Sequence, residues 1–352
     1  MTLRATTGVA GPPWERPLNG RLDKLVVVSE ILDGNPLGDP ARRPLWVYVP
    51  PEVDEASETS YPSVYVIQGY TGQIDMWLNR SPFEPSMFER LDDYFTNEEV
   101  PPAIIVFADA WTSTGGSQFI NSAGTGRYMD YLCDEIVPFI DERYPTVAAA
   151  QHRGITGKSS GGYGAMVVPM VRPDVFGALA THAGDALFEV CYAPEFRQVA
   201  RVLRDNFGGS YEALQKEVEQ APTFDWDKYG VAFETYGYAL CYSPDETEPG
   251  KALLPFDVGT GRIVDDVWAR WLAWDPVRMV PQHGDELASM KLIYVDAGKS
   301  DEYFLDLGAQ AFSNELHKLD IEHHLEFFEG KHGGLQYRYS RAIGMLAEAL
   351  TP

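Results

Sequence analysis

Cysteine is scarce in this chain of 352 residues: only Cys133, Cys191 and Cys241 occur, an odd number at wide spacing. That excludes a disulfide framework and offers no metal-type cysteine pair. Basic residues are also few, 28 Lys and Arg against 52 Asp and Glu, for a net charge of −24. Nucleic acid needs a basic surface and is excluded as a partner; anionic membranes and polyanionic substrates are repelled. No apolar run reaches the ~18 residues of a membrane span. The N-terminal "MTLRATTGVAGPPWERPLNG" lacks the continuous apolar core of a secretory signal and reads as an irregular arm, 1–24. The expectation is a cytoplasmic protein whose acidity serves solubility.

What the chain does have is enough apolar and aromatic content, 45% and 12%, for a large core. There is no internal repeat and no low-complexity tract. Short runs rich in β-branched and aromatic residues alternate with helical patterns, the signature of an α/β sheet. Strands are predicted at 24–31, 44–49, 63–68, 103–108, 153–157, 177–183, 291–297 and 324–329. The first two read as an antiparallel hairpin and the rest as parallel strands joined by crossovers. Helices are predicted at 126–143, after Ser159, at 304–319 and at 336–350. The interval 185–288 is too long for a simple crossover. Its many aromatic residues make it a helical cap inserted into a core formed by 25–184 and 289–352.

The segment "RGITGKSSGGYGAM", Arg153 to Met166, carries the chemistry. It is not a phosphate-binding loop, because the required first glycine would fall on His152. It is a G-x-S-x-G turn, Gly157 to Gly161, between a short strand and a helix. The glycines let the strand turn sharply, and the turn presents Ser159 at the helix N-terminus, where free N–H groups favour a developing oxyanion. A serine needs a base, and the base an acid, in the chain order serine, acid, histidine, each at a strand's carboxyl end. Of seven histidines, His332 in "FFEGKHGG" meets that order. The others precede their strands, sit on a helix or a polar connection, or, in the case of His182, follow the serine without an intervening acid. The acid is Asp301 in "GKSDEYF", with Glu302 as fallback and helix capping as the competing role; Asp296, inside its strand, is read as structural. The oxyanion donors are the amides of Ser160 and of Tyr70, which follows Gly69 in "QGYTG". Trp77, Trp111 and Asn121 lie in loops after the third and fourth strands and either line the substrate pocket, with Gly69, or simply pack.

With these residues assembled, the chain resembles the putative-esterase family of α/β-hydrolases, which includes S-formylglutathione hydrolases, feruloyl and acetylxylan esterases, enterochelin esterases and mycolyltransferases. The likeness rests on "LWVYVPPEVD", "VYVIQGYTG", "GRYMDYLCDEIVPFIDERYPT", "GITGKSSGGYGAM", "AGKSDEYF" and "FEGKHGG". It implies an α/β-hydrolase fold, a mostly parallel eight-stranded sheet flanked by helices. It also implies Ser159, Asp301 and His332 as a triad and the Tyr70 and Ser160 amides as oxyanion donors, with no cofactor and no metal. Lys158, before the nucleophile, and the 185–288 insertion depart from the family pattern. The expected activity is hydrolysis of a small-molecule carboxylic ester through an acyl-enzyme. The alternative is acyl transfer to an alcohol by the same triad; a non-catalytic binding role is a third. The acidic, aromatic-rich surface allows a homodimer but shows no self-complementary segment.

Overall fold

The computed structural model describes residues 16–352 except 55, 57, 98 and 99. Most of the predicted N-terminal arm therefore lies outside the described residues. Eight strands form one sheet: β1 (Arg21–Val28), β2 (Arg42–Val49), β3 (Ser63–Ile67), β4 (Ile104–Ala108), β5 (Arg153–Ser159), β6 (Ala178–Gly184), β7 (Leu292–Gly298) and β8 (His324–Phe328). Their spatial order is β1-β2-β4-β3-β5-β6-β7-β8. β2 runs antiparallel to both β1 and β4, and every other pairing is parallel. The first strand begins three residues before its predicted start, because Arg21 to Lys24 pair with Trp46 to Val49 of β2.

The central strands β3 and β4 are buried along their whole length. This is why each reads as an unbroken apolar run, as strands covered on both faces do. Side chains still alternate. Tyr65, Ile67, Val106 and Ile155 enter a core with Tyr131, Val167 and Phe312, whereas Val64, Val66, Ile105 and Phe107 enter a second core with Leu91 and Leu346. Helices thus cover both faces: the run from Tyr128 to Arg143, Ser160–Val171 and Leu305–Lys318 on one side, Met87–Asn97 and Gln336–Leu350 on the other. The first of these contains a π-helical stretch, Tyr131–Ile136, just before Pro138, which has no N–H to give to the preceding turn.

Helix Met87–Asn97 was not predicted from the sequence. Its start is a capping box: Glu89 N donates to Ser86 Oγ at 3.3 Å and Ser86 N to Glu89 Oε2 at 2.7 Å. Between β6 and β7 come seven α-helices and one short 3-10 turn, the longest being Ala193–Phe207 and Trp226–Tyr242. They do not form a separate core. Phe196, Leu203, Tyr242 and the fully buried Trp271 belong to the same apolar cluster as Tyr163 and Ile155. Asp275 anchors the entry to this segment by accepting from the amides of Leu187 and Phe188 at 3.0 and 2.9 Å.

Candidate active site

Five loops meet at the carboxyl edge of the sheet, where ligands of open α/β sheets bind. At its centre β5 turns into helix Ser160–Val171 through Ser159, whose backbone is left-handed at φ 58 and ψ −127. A non-glycine residue in that region is strained and needs the surrounding structure to hold it there. The neighbouring glycines allow the turn. A Cβ at Gly157 would lie 2.5 Å from the Gly161 carbonyl, one at Gly161 2.5 Å from Ile67 O, and one at Gly162 2.7 Å from Gly184 Cα.

Asp301, in the loop after β7, is 5% exposed. Its Oδ2 lies 2.8 Å from His332 Nδ1, and its Oδ1 accepts from the Tyr303 amide at 2.9 Å. The histidine loop after β8 is held a second time by Glu302, which accepts from the His332 amide at 2.9 Å and pairs with Lys331 at 3.1 Å. Glu302 therefore holds the loop's backbone, and Asp301 holds the imidazole. Ser159 and His332 line one cavity of about 420 Å³. No hydrogen bond joins them; Ser159 Oγ is turned to Asp185 Oδ1 at 3.4 Å.

The loop after β3 comes against the elbow at Gly69, where a Cβ would lie 3.0 Å from Lys158 O and 3.4 Å from Ser159 Cβ. This close approach brings the loop that carries Tyr70 against the elbow. Ser160 N is the first helical amide and has no partner inside its helix. Gly69, Tyr70 and Trp77 line the cavity. Trp77 is 5% exposed and packs edge-on against Tyr339, so it is wall and core together. Two expected pocket residues lie elsewhere. Asn121 is exposed in a short hairpin and bonded to Asp130 at 2.7 Å. Trp111 is not in this cavity's wall but lines a small adjoining hollow with Gly69, Tyr70 and Ser160, and its carbonyl accepts from Arg43 at 2.7 Å. The Arg43–Asp109 pair, 3.2 Å, holds the base of the fourth-strand loop.

Of the residues set aside in the sequence, His182 is fully buried and bonded to Asp296 at 2.8 Å, and Arg338 Nε donates to the other oxygen of Asp296 at 2.9 Å. One site residue was passed over altogether. Asp185, directly after β6, sits beside Ser159 and is 3% exposed. The signal was available: a lone acid in "HAGDALF", at a strand's carboxyl end. Burial raises its pKa, against the opposing pull of the Tyr192 hydroxyl and of His332.

The 185–288 segment contributes Tyr192, Glu195, Trp226, Glu234 and Tyr238 to the cavity wall. Burial, with the charges of neighbouring carboxylates, lifts Glu195 to about 7 and Glu234 to about 8. Lys158 also faces the cavity, and burial lowers its pKa against the pull of Asp301 and Asp185. Among the described residues no group of His, Cys, Asp and Glu could hold a metal ion, and no helix is long and apolar enough to cross a membrane.

The model of the putative esterase family matches residues 40–340. The endo-1,4-beta-xylanase/feruloyl esterase of Xylanibacter ruminicola is 24% identical over 196 residues, 53% of this chain and 26% of that protein. The chain thus spans about a quarter of this curated relative's length. Among solved structures, a ferulic acid esterase aligns with a TM-score of 0.60 at 16% identity, covering 95% of this chain and 100% of the other. An S-formylglutathione hydrolase from Agrobacterium tumefaciens aligns with a TM-score of 0.56 at 15% identity, covering 96% and 98%. At these identities the likeness is one of fold: this is an α/β-hydrolase sheet with its helices.

Proposed function

The chain belongs to the putative esterase family, and from that premise we propose that it hydrolyses a small-molecule carboxylic ester with Ser159 as nucleophile, His332 as base and Asp301 as the acid that orients it. The observation that carries this reading is a serine on a strained strand-to-helix turn sharing one cavity wall with a histidine bonded to a buried aspartate at 2.8 Å. A hydroxyl is a weak nucleophile until a base accepts its proton. In the proposed reaction Ser159 Oγ turns from Asp185 to His332 Nε2 as substrate enters, a tightening expected when a free site closes on its ligand. The oxygen attacks the ester carbonyl and its proton passes to Nε2.

The resulting oxyanion sits between the amides of Tyr70 and Ser160, and Asp301 stabilises the imidazolium through Nδ1. Collapse breaks the bond to the alcohol oxygen, which takes the proton from Nε2 and leaves. Water then repeats the sequence on the acyl-enzyme, releasing the acid and restoring Ser159. No metal or cofactor enters. A cavity of about 420 Å³ lies in the range of sites for small organic ligands. The names of the structural relatives favour aryl-acyl or thioester substrates, and the aromatic wall of Tyr192, Trp226 and Tyr238 suits the former.

The test is turnover of p-nitrophenyl esters from acetate to decanoate by the wild type, Ser159→Ala and Asp301→Asn. The expected result is a loss of ~10⁴-fold or more for each variant, with folding retained. Full activity in Ser159→Ala would refute the mechanism. Product partitioning between water and added alcohol separates hydrolysis from acyl transfer.

A further inference from the structure

Asp185 takes no part in that scheme, yet the elbow converges on it. Its carboxylate lies in the cavity wall with four side-chain donors around it. Oδ1 accepts from Ser159 Oγ at 3.4 Å. Oδ2 accepts from Tyr192 OH at 2.8 Å, Ser160 Oγ at 3.0 Å and Gln118 Nε2 at 3.4 Å. Its own amide donates to Ser159 O at 3.4 Å. A buried carboxylate without an ion-pair partner is costly unless hydrogen bonds satisfy it, and here they come from the nucleophile and from the residue whose amide faces the oxyanion. The surroundings are built to keep it in place. Gln118 and Phe119 both have left-handed backbones, φ 52 and 54, and Gln118 is 1% exposed with its amide nitrogen also 2.9 Å from Tyr242 OH. Strain of this kind persists only where the surrounding structure over-determines it.

We propose that Asp185 is a positioning residue of the acyl-transfer site, holding the Ser159 hydroxyl in the free enzyme and fixing Ser160 so that its amide points at the oxyanion. The inference rests on the esterase reading. Two consequences follow from the geometry. The serine rotamer is set before substrate arrives, with the hydroxyl held on Asp185 in the cavity that His332 also lines. The amide of Ser160 is also pinned through its own side chain, which a helix N-terminus lacking that bond leaves to the backbone alone. Asn at position 185 keeps the shape and can still accept at one oxygen, and the Ser160 and Tyr192 hydroxyls can rotate to accept from its NH₂. Folding should therefore survive the substitution.

The experiment compares wild type, Asp185→Asn, Ser160→Ala and Tyr192→Phe with p-nitrophenyl acetate and with diethyl p-nitrophenyl phosphate. The phosphate ester reads attack by the serine directly, through stoichiometric release of nitrophenol. Loss of a hydrogen bond to a charged group is worth about 10- to 100-fold. Asp185→Asn is expected to lower kcat and the phosphorylation rate by that factor with KM within about twofold, and adding Ser160→Ala to it should cost less than Ser160→Ala costs alone. Wild-type kcat and phosphorylation rates in Asp185→Asn would overturn the inference, as would a loss confined to KM or to melting temperature. If Asp185→Asn does not fold, Ser160→Ala and Tyr192→Phe decide: reduced rates in both support it, and wild-type rates in both overturn it. Ser159→Ala separates the levels. An inactive Ser159→Ala beside a fully active Asp185→Asn sinks only this inference, whereas an active Ser159→Ala sinks the esterase reading itself.

Discussion

Gly161→Ala tests whether the elbow's close packing is what places the oxyanion donors. The added methyl would lie 2.5 Å from Ile67 O and 2.8 Å from Gln68 O, both backbone atoms. To reach 3.4 Å, the lower limit of ordinary contact, the end of β3 must retreat by about 0.9 Å from the helix. It has little room, since β3 is buried on both faces between β4 and β5. Overpacking of this kind costs about 1–3 kcal/mol, and replacing a helical glycine returns about 1 kcal/mol. A net loss near 1 kcal/mol in a chain of this length lowers Tm by only about 1 °C. The same displacement moves Gln68, Gly69 and Tyr70, and a misplacement near 1 Å costs about 10²-fold in rate. The expected outcome is therefore lopsided: a small fall in Tm by calorimetry and a large fall in kcat on a p-nitrophenyl ester. Gly259→Ala, whose methyl would meet Asp257 Oδ1 at an ordinary 3.5 Å, serves as control and should leave both within error. A Gly161→Ala enzyme with wild-type kcat would refute the argument.

Two further outcomes follow from buried charge. Arg338→Ala strips Asp296 of a 2.9 Å ion pair in a site with no exposure, leaving it with His182 and Tyr294. The cost should be about 3–5 kcal/mol, read as a fall of roughly 4–7 °C in Tm; an unchanged Tm would show the cluster to be dispensable. Glu234 is lifted from an ordinary value near 4.5 to about 8, first by burial and then by the charges of Glu195 and Asp185. Its folded-state pKa lies above its unfolded one, so its contribution is fully present below about 4.5 and is lost as pH rises through about 8. Glu234→Gln should match the wild type in Tm at about pH 4 and exceed it at about pH 9, and a pH-independent difference would contradict this.

How legible each part was depends on how local its cause is. All eight strands fell within a few residues of their observed bounds: burial on both faces turns β3, β4 and β6 into apolar runs, while the half-exposed edge strands β1 and β8 show as short runs rich in β-branched or aromatic residues. Helix Met87–Asn97 was missed although "SMFE" spells its capping box, since the flanking residues are polar and the box is only four residues long. The elbow could be read because its glycines answer a local steric demand. Asp301 and His332 were found by chain order, and the structure sets them 2.8 Å apart. Asn121 and Trp111 do not line the main cavity, because position after a strand says which edge a loop occupies and nothing about where its side chains turn; the Asn121 amide turns to Asp130, and Trp111 lines a small adjoining hollow with Gly69, Tyr70 and Ser160.

The sequence by itself determined the sheet, the turn that strains Ser159 and the order of the groups that meet there, since each follows from residues close along the chain or from the direction of parallel strands. Only the tertiary structure decided what lies beside the serine. Asp185 receives Ser159 on Oδ1 and Ser160, Tyr192 and Gln118 on Oδ2, and the elbow and the Gln118 loop reach it by packing between parts of the chain far apart in sequence, which no local pattern encodes.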